Sequence, residues 1–169
     1  MGDGKLIDVM HRDGFMCPLA GQLMGMTAET LVEKYKISRE EQDAFAAESQ
    51  NKAVKAVKDG RFKEEILPVE VPSGKGKTET FATEEIPREG VTKESLAKLP
   101  PVFKKDGTVT AGNSCALCDA AAAVLVMKKE KASSLGVKPL ARILSYAQAG
   151  VDPAIMGIGP VPAVSKALE

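Results

Sequence analysis

Residues 108–127 read TVTAGNSCALCDAAAAVLVM, and this stretch constrains the chain more than any other. A short β-like run, Thr108-Val109-Thr110, meets a tight Ala111-Gly112-Asn113 turn, and an alanine-rich apolar segment then begins with two cysteines. A strand-to-helix turn exposes backbone N–H groups that no intrahelical acceptor satisfies. Such a turn favours negative charge, and small residues let a ligand approach its backbone. The competing reading is that Ala120 to Ala123 is a buried helix packed tightly on its neighbours.

Composition narrows the partners. Lys+Arg and Asp+Glu are equal at 23 each, so the formal net charge is zero, which argues against a general nucleic-acid or membrane-surface binder. With no Trp, two Tyr and five Phe, a base-stacking platform is not expected either. No apolar run approaches the length of a membrane span, and residues 1–10 lack the apolar core of a signal peptide. A cytoplasmic protein is therefore expected. Three cysteines fit reduced thiols better than a disulfide framework. At 169 residues and 44% hydrophobic, the chain is long enough for an ordinary core.

Taken in order, Leu6, Ile7, Val9 and Met10 suggest a short helix or a buried fragment of one. The run from Phe15 to Met26 holds too many breakers for one regular element and reads as a loop with methionines 16, 24 and 26 as adaptable filling. Thr27 is placed to cap a helix ending near Lys36, with Leu31 and Tyr35 on one face. Ser38-Arg39-Glu40-Glu41 has the S-x-x-E pattern of a capping box and predicts a long helix closed by Gly60. Ala46, Ser49, Ala53 and Val57 form its small-residue stripe, with the charges opposite read as a solvated face.

Ile66 to Val71 predicts a strand pushed to a sheet edge by Pro68, joined through Ser73 to Thr78 to a second strand ending at Phe81. Gly76-Lys77-Thr78 resembles the end of a phosphate-binding loop, but Val71 stands where that motif needs glycine. A capped helix is expected from Thr92 to Leu99, stopped by Pro100-Pro101. Arg88 lies just before it and Ser95 within it. Farther on, residues 120–135 read as a helix or a helix-to-strand passage, residues 139–147 alternate as a strand does, and residues 150–163 read as rigid loop. A helix starting at Ala163 and stopping at Glu169 suggests a piece of something longer.

The order of these pieces resembles the thiolases. Met24-Gly25-Met26-Thr27-Ala28-Glu29 is followed by Ser38 to Ala46 with Ser49-Gln50, and then by Asp59 to Ile66. Thr108 to Asn113, Asp119 to Ala122, Gly150 to Pro153, Met156-Gly157 and Gly159-Pro160 continue the match. The resemblance, which covers nearly the whole chain, implies an α/β fold, α+β within this segment. It also implies a helical-plus-hairpin loop domain with flanking core strands and a helix. Residues 1–107 would hold the loop insertion with the preceding end of the core, and residues 108–169 the return to the core.

Thiolases condense or cleave acyl-CoA thioesters through an acyl-cysteine intermediate. In the family the nucleophile lies in an N-x-x-C-S-S-G context before this region, and the N-E-A-F, G-H-P and C-x-G-G-G motifs follow it. None occurs here, so no catalytic residue is assigned and no turnover is expected from these 169 residues alone. What the resemblance implies instead is a coenzyme A site: Arg88 and Ser95 near the adenine-ribose and pantetheine, Phe103 on the tunnel wall, Ala111 and Cys115 beside the pantetheine, and Met24 at the acyl end. Leu23 stands where the family has a histidine and Cys115 where it has a serine. Coenzyme A or acyl-CoA is then substrate, with no covalently bound cofactor or metal, and the parent a dimer or tetramer. Two other classes are weighed against this. One is a non-catalytic interaction or oligomerisation module. The other is a dithiol redox protein using Cys115-Ala116-Leu117-Cys118 at a helix start.

Overall fold

Met16–Cys17 (β1) pairs antiparallel with Gln22–Leu23 (β2), Met16 opposite Leu23, in a computed structural model that describes residues 2–169. The breaker-rich run thus forms a two-rung hairpin where an open loop is expected, because Gly21 takes the left-handed conformation (φ 66°) that lets the chain reverse. Helix α1 (Met24–Tyr35) begins three residues before the expected cap. Thr27 lies inside its first turn and donates its hydroxyl back to the Met24 carbonyl at 2.6 Å.

Helix α2 (Arg39–Lys58) follows its local signals closely. The Ser38 hydroxyl accepts from the Glu41 N–H at 3.2 Å, and the Glu41 carboxylate accepts from the Ser38 N–H at 2.7 Å. Two donors left over by the first turn are thereby satisfied. At the far end Gly60 sits at φ 67°, the Arg61 N–H donates to the Ala56 carbonyl and the Gly60 N–H to that of Val57, both at 3.0 Å. This is a Schellman closure. The inward face, however, is not only the small-residue stripe: Asp43 and Ala47 are its buried positions, while Ser49 and Phe45 are exposed.

Donation from the Ser38 amide, and then from its hydroxyl, holds the Glu41 carboxyl below its ordinary value of 4.5. Lys52 does the same for Glu48, and Lys55 for Asp59. A carboxyl lowered in the folded state stabilises it fully above the unfolded value and loses that contribution as pH falls through the folded one. Helical circular dichroism is therefore expected to decline on acidification below pH 4.5, with a shallower acid dependence in Glu41→Gln. Equal acid profiles for the two proteins would remove the capping box from the account.

Strands β3 (Val69–Gly74) and β4 (Lys77–Phe81) pair antiparallel, Val69 opposite Phe81, with an irregularity between Pro72 and Gly74. Lys75 and Gly76 between them have φ of 48° and 72°, the pair of positive angles that a tight hairpin turn uses. The first strand starts at Val69, not Ile66, because Pro68 has no N–H to give a ladder. Helix α3 (Lys93–Leu96) is a single turn capped by Thr92, shorter than expected since Pro100 and Pro101 end helical bonding soon after it. Val109 pairs with Val102 only through one backbone bond of 3.0 Å, beside an isolated bridge from Pro101 to Thr110, so the β-like run is a bridge and not a strand.

Residues Ala28–Ala116 pack as one compact unit, with Ala47, Leu96 and Val109 buried in it. The other unit comprises the described residues up to Thr27 together with those from Leu117 onward. It contains a π-helical turn (Met10–Phe15), β1 and β2, α4 (Lys129–Ser134), a 3-10 segment (Pro153–Ile158) and α5 (Pro160–Leu168). Leu6, Ile7, Val9 and Met10 are exposed, not buried. Residues 115–128 and 139–152 carry no helix or strand, where a helix from Ala120 and an alternating strand are expected. Apolar strands become regular only by pairing, and no neighbour among the described residues pairs with these. Helix α5 starts at Pro160, three residues earlier than expected, with proline where a helix best tolerates it.

Candidate functional site

The Ala28–Ala116 unit holds a groove of about 630 Å³. Helix α2 lines it with Gln42, Phe45, Ala46, Ser49 and Gln50. Glu85, Ile86, Arg88, Val91, Leu96 and Leu99 also line it, together with the turn from Ala111 to Ala116, whose Gly112 packs against Leu96 and Leu99. Three residues expected at a ligand site, Arg88, Ala111 and Cys115, therefore share one groove. The Arg88 N–H is anchored on the Gln50 side-chain oxygen at 2.9 Å, whereas its guanidinium makes no hydrogen bond or ion pair with any described residue. A fixed backbone carrying an unpaired planar cation suits a phosphate.

The other three lie elsewhere. Ser95 is occupied in the α3 cap, accepting from the Thr92 N–H at 3.0 Å and donating to the Thr92 carbonyl at 2.7 Å. Phe103 is half-buried in the bend after Pro101 and does not line the groove. Met24 opens α1 and belongs to the other compact unit.

The central turn is wired differently from a free strand-to-helix junction. Thr110 is fully buried, and its hydroxyl accepts from the N–H groups of Gly112 at 3.2 Å and Asn113 at 3.3 Å. Asn113 returns the bond, its side-chain oxygen accepting from the Thr110 N–H at 2.7 Å. These amides are spent inside the turn, and no helix begins after it, so the turn offers no open backbone donors of the kind expected there. The same finding removes the helix terminus that a redox role for Cys115 and Cys118 requires. Both thiols are free and exposed.

Two buried acids escaped the reading of the sequence. Glu29, 3% exposed, accepts from the N–H groups of Thr108 at 2.7 Å and Val109 at 2.8 Å and from the Thr108 hydroxyl at 3.1 Å. Asp43, 1% exposed, pairs with Arg39 at 2.7 Å. The only local signal is the four-residue spacing of Arg39 and Asp43 behind the Ser38 cap; nothing local marks Glu29.

The family model described as "Thiolase, N-terminal domain" matches residues 1–130. The chain belongs to the thiolase family. It is 58% identical over its whole length to an acetyl-CoA acetyltransferase of Pseudomonas aeruginosa and 54% to one of Shinella zoogloeoides. In both cases it spans 43% of the relative's length. The solved acetyl-CoA acetyltransferase of Syntrophomonas wolfei superposes with a TM-score of 0.93 at 49% identity, covering 99% of this chain and 42% of that one. A human mitochondrial 3-ketoacyl-CoA thiolase solved in complex with CoA matches with a TM-score of 0.85 at 46% identity, covering 92% of this chain and 38% of that one. The thiolase-like α+β fold expected from the sequence is thus the fold of this segment. Among the described residues no helix is long and apolar enough to cross a membrane.

Proposed function

We propose that this segment is the coenzyme A-binding part of a thiolase of the acetyl-CoA acetyltransferase type, whose whole chain transfers an acyl group between an enzyme cysteine and CoA or acetyl-CoA. The observation that carries the reading is the unpaired Arg88 guanidinium in a groove of mixed lining that Phe45, Ala46, Ala111 and Cys115 also line. A phosphorylated nucleotide joined to a slender, mostly apolar pantetheine arm needs such a cation at one end and small residues along the rest. Similarity to a thiolase solved with CoA supports the same ligand. Met24, Ser95 and Phe103 are assigned to the ligand by family correspondence alone. So is the division of labour between residues 1–107, holding the loop insertion, and residues 108–169, returning to the core.

In this reading the segment binds and orients CoA, while the nucleophile, its base and the oxyanion donors come from family motifs that these 169 residues do not include. The isolated segment shows no turnover, and the parent is a cytoplasmic homo-oligomer.

Calorimetry with CoA on the parent enzyme tests the groove. Arg88→Ala should weaken CoA binding about tenfold, the equivalent of roughly 1.4 kcal/mol for a lost charge-assisted phosphate contact, and Arg88→Lys should fall between. The wild-type affinity should also drop with added salt more steeply than that of Arg88→Ala. Unchanged CoA affinity in Arg88→Ala would sink the assignment.

A further inference from the structure

Residues 82–92 carry no helix or strand, so neither a ladder nor a helical turn fixes the backbone that presents Arg88. Side chains of α2 hold it instead. The Arg88 N–H donates to Gln50 Oε1 at 2.9 Å, Asn51 Nδ2 donates to the Val91 carbonyl at 3.4 Å, and Lys58 Nζ pairs with the Glu89 carboxylate at 2.9 Å. Only the Gln50 bond ends on Arg88 itself. It is also the bond at the groove, which Gln50 and Arg88 both line while Asn51, Lys58 and Glu89 do not. An N–H facing a carboxamide selects its oxygen, so this bond also fixes which way the Gln50 side chain is turned.

We propose that Gln50 is a positioning residue for coenzyme A that acts through Arg88, fixing the backbone from which the guanidinium reaches a phosphate of the ligand. The inference rests on the CoA reading of the groove. Its physical basis is the length of the arginine side chain, whose several rotatable bonds already lose freedom when the guanidinium is held on a phosphate. A backbone free to shift would add its own freedom to what binding must freeze. The Gln50 bond removes that part of the cost beforehand, and no other described residue bonds to Arg88. Because Arg88 is exposed, water takes over its N–H once the oxygen is removed, so losing the bond loosens the loop without unfolding it.

In the parent enzyme, Gln50→Met keeps the unbranched length and helix propensity of glutamine but offers only a weak sulfur acceptor. It is expected to raise the KM for CoA about fourfold, and to move the KM for pantetheine, the same thiol arm without the phosphorylated nucleotide, less than about 1.5-fold. Pantetheine gives Arg88 no phosphate to hold, whereas a general loosening of the groove would raise both values. In an Arg88→Ala background the same substitution should add nothing to the KM for CoA, since the group it positions is gone. Gln50→Leu is the second variant should Gln50→Met fold poorly. If Arg88→Ala weakens CoA binding and neither Gln50 variant raises the KM for CoA, the positioning role is overturned and the CoA groove stands. Equal increases for CoA and pantetheine, or an undiminished effect of Gln50→Met in the Arg88→Ala background, would overturn it too, by showing that Gln50 does not act through Arg88. If Arg88→Ala leaves CoA affinity unchanged, the groove reading fails, and this inference fails with it.

Discussion

Replacing Glu29 with alanine is expected to destabilise the protein by about 3 kcal/mol, the cost of leaving two amides without an acceptor where water has little access. The Glu29 Oε1 accepts from both the Thr108 and Val109 N–H groups, and Oε2 accepts from the Thr108 hydroxyl. Val109 is among the most buried apolar residues, so its amide has no ready substitute partner. Glutamine separates the contributions. Its oxygen takes the two amides as Oε1 does, and the half-buried Thr108 hydroxyl, which already accepts from Gln42 Nε2 at 2.9 Å, can accept from the new NH₂ but gives up its own acceptor, so Glu29→Gln should cost about 1–2 kcal/mol, less than alanine. Denaturant midpoints give the ranking, and hydrogen exchange at Thr108 and Val109 gives the place. Faster exchange at those two amides is expected in Glu29→Ala and little change in Glu29→Gln. Equal stability of Glu29→Ala and wild type would show that the acid is incidental.

That acid also marks where sequence reading stops. The Ser38 box, the Gly60 closure, the Thr92 cap and the Lys75-Gly76 hairpin were all legible, because each is decided by residues within five positions of one another. Glu29 is bound to partners 79 and 80 residues away, Asp43 to one 70 away and Arg39 to carbonyls 57 and 60 away. In the sequence Glu29 and Asp43 are acids on helices like Glu40 or Glu48, which are exposed, and no spacing separates the two kinds. Motif order groups residues that periodicity does not: the thiolase resemblance names Arg88, Ala111 and Cys115 together, and all three line one groove. It did not foresee that Ser95 is held in a helix cap. The segments from 115 to 128 and 139 to 152 show the opposite limit, since their apolar and alternating patterns are genuine but regular strands need partners to pair with.

Gly107→Ala should be nearly as damaging as Glu29→Ala, at about 2–3 kcal/mol, and for a connected reason. Gly107 does not need glycine for its dihedral angles; it needs the space. A Cβ there would stand 2.5 Å from the Glu29 Oε1 and 2.9 Å from the Lys104 carbonyl. Neither neighbour can give way cheaply. The carbonyl is backbone that already accepts from the Gly107 N–H at 3.0 Å, and the Glu29 carboxylate is fixed by three donors. Moving it aside to admit a methyl group stretches the bonds to Thr108 and Val109 that Glu29→Ala removes outright. The two substitutions therefore act on one interaction, and their effects should not add. With Glu29 truncated, the tighter of the two contacts is gone, so Gly107→Ala in the Glu29→Ala background should cost at least 1 kcal/mol less than in the wild type, a coupling within the usual range for touching residues. A double-mutant cycle on denaturant midpoints measures this directly. Strict additivity would mean that the Lys104 carbonyl alone excludes the methyl group, and that the carboxylate is free to move.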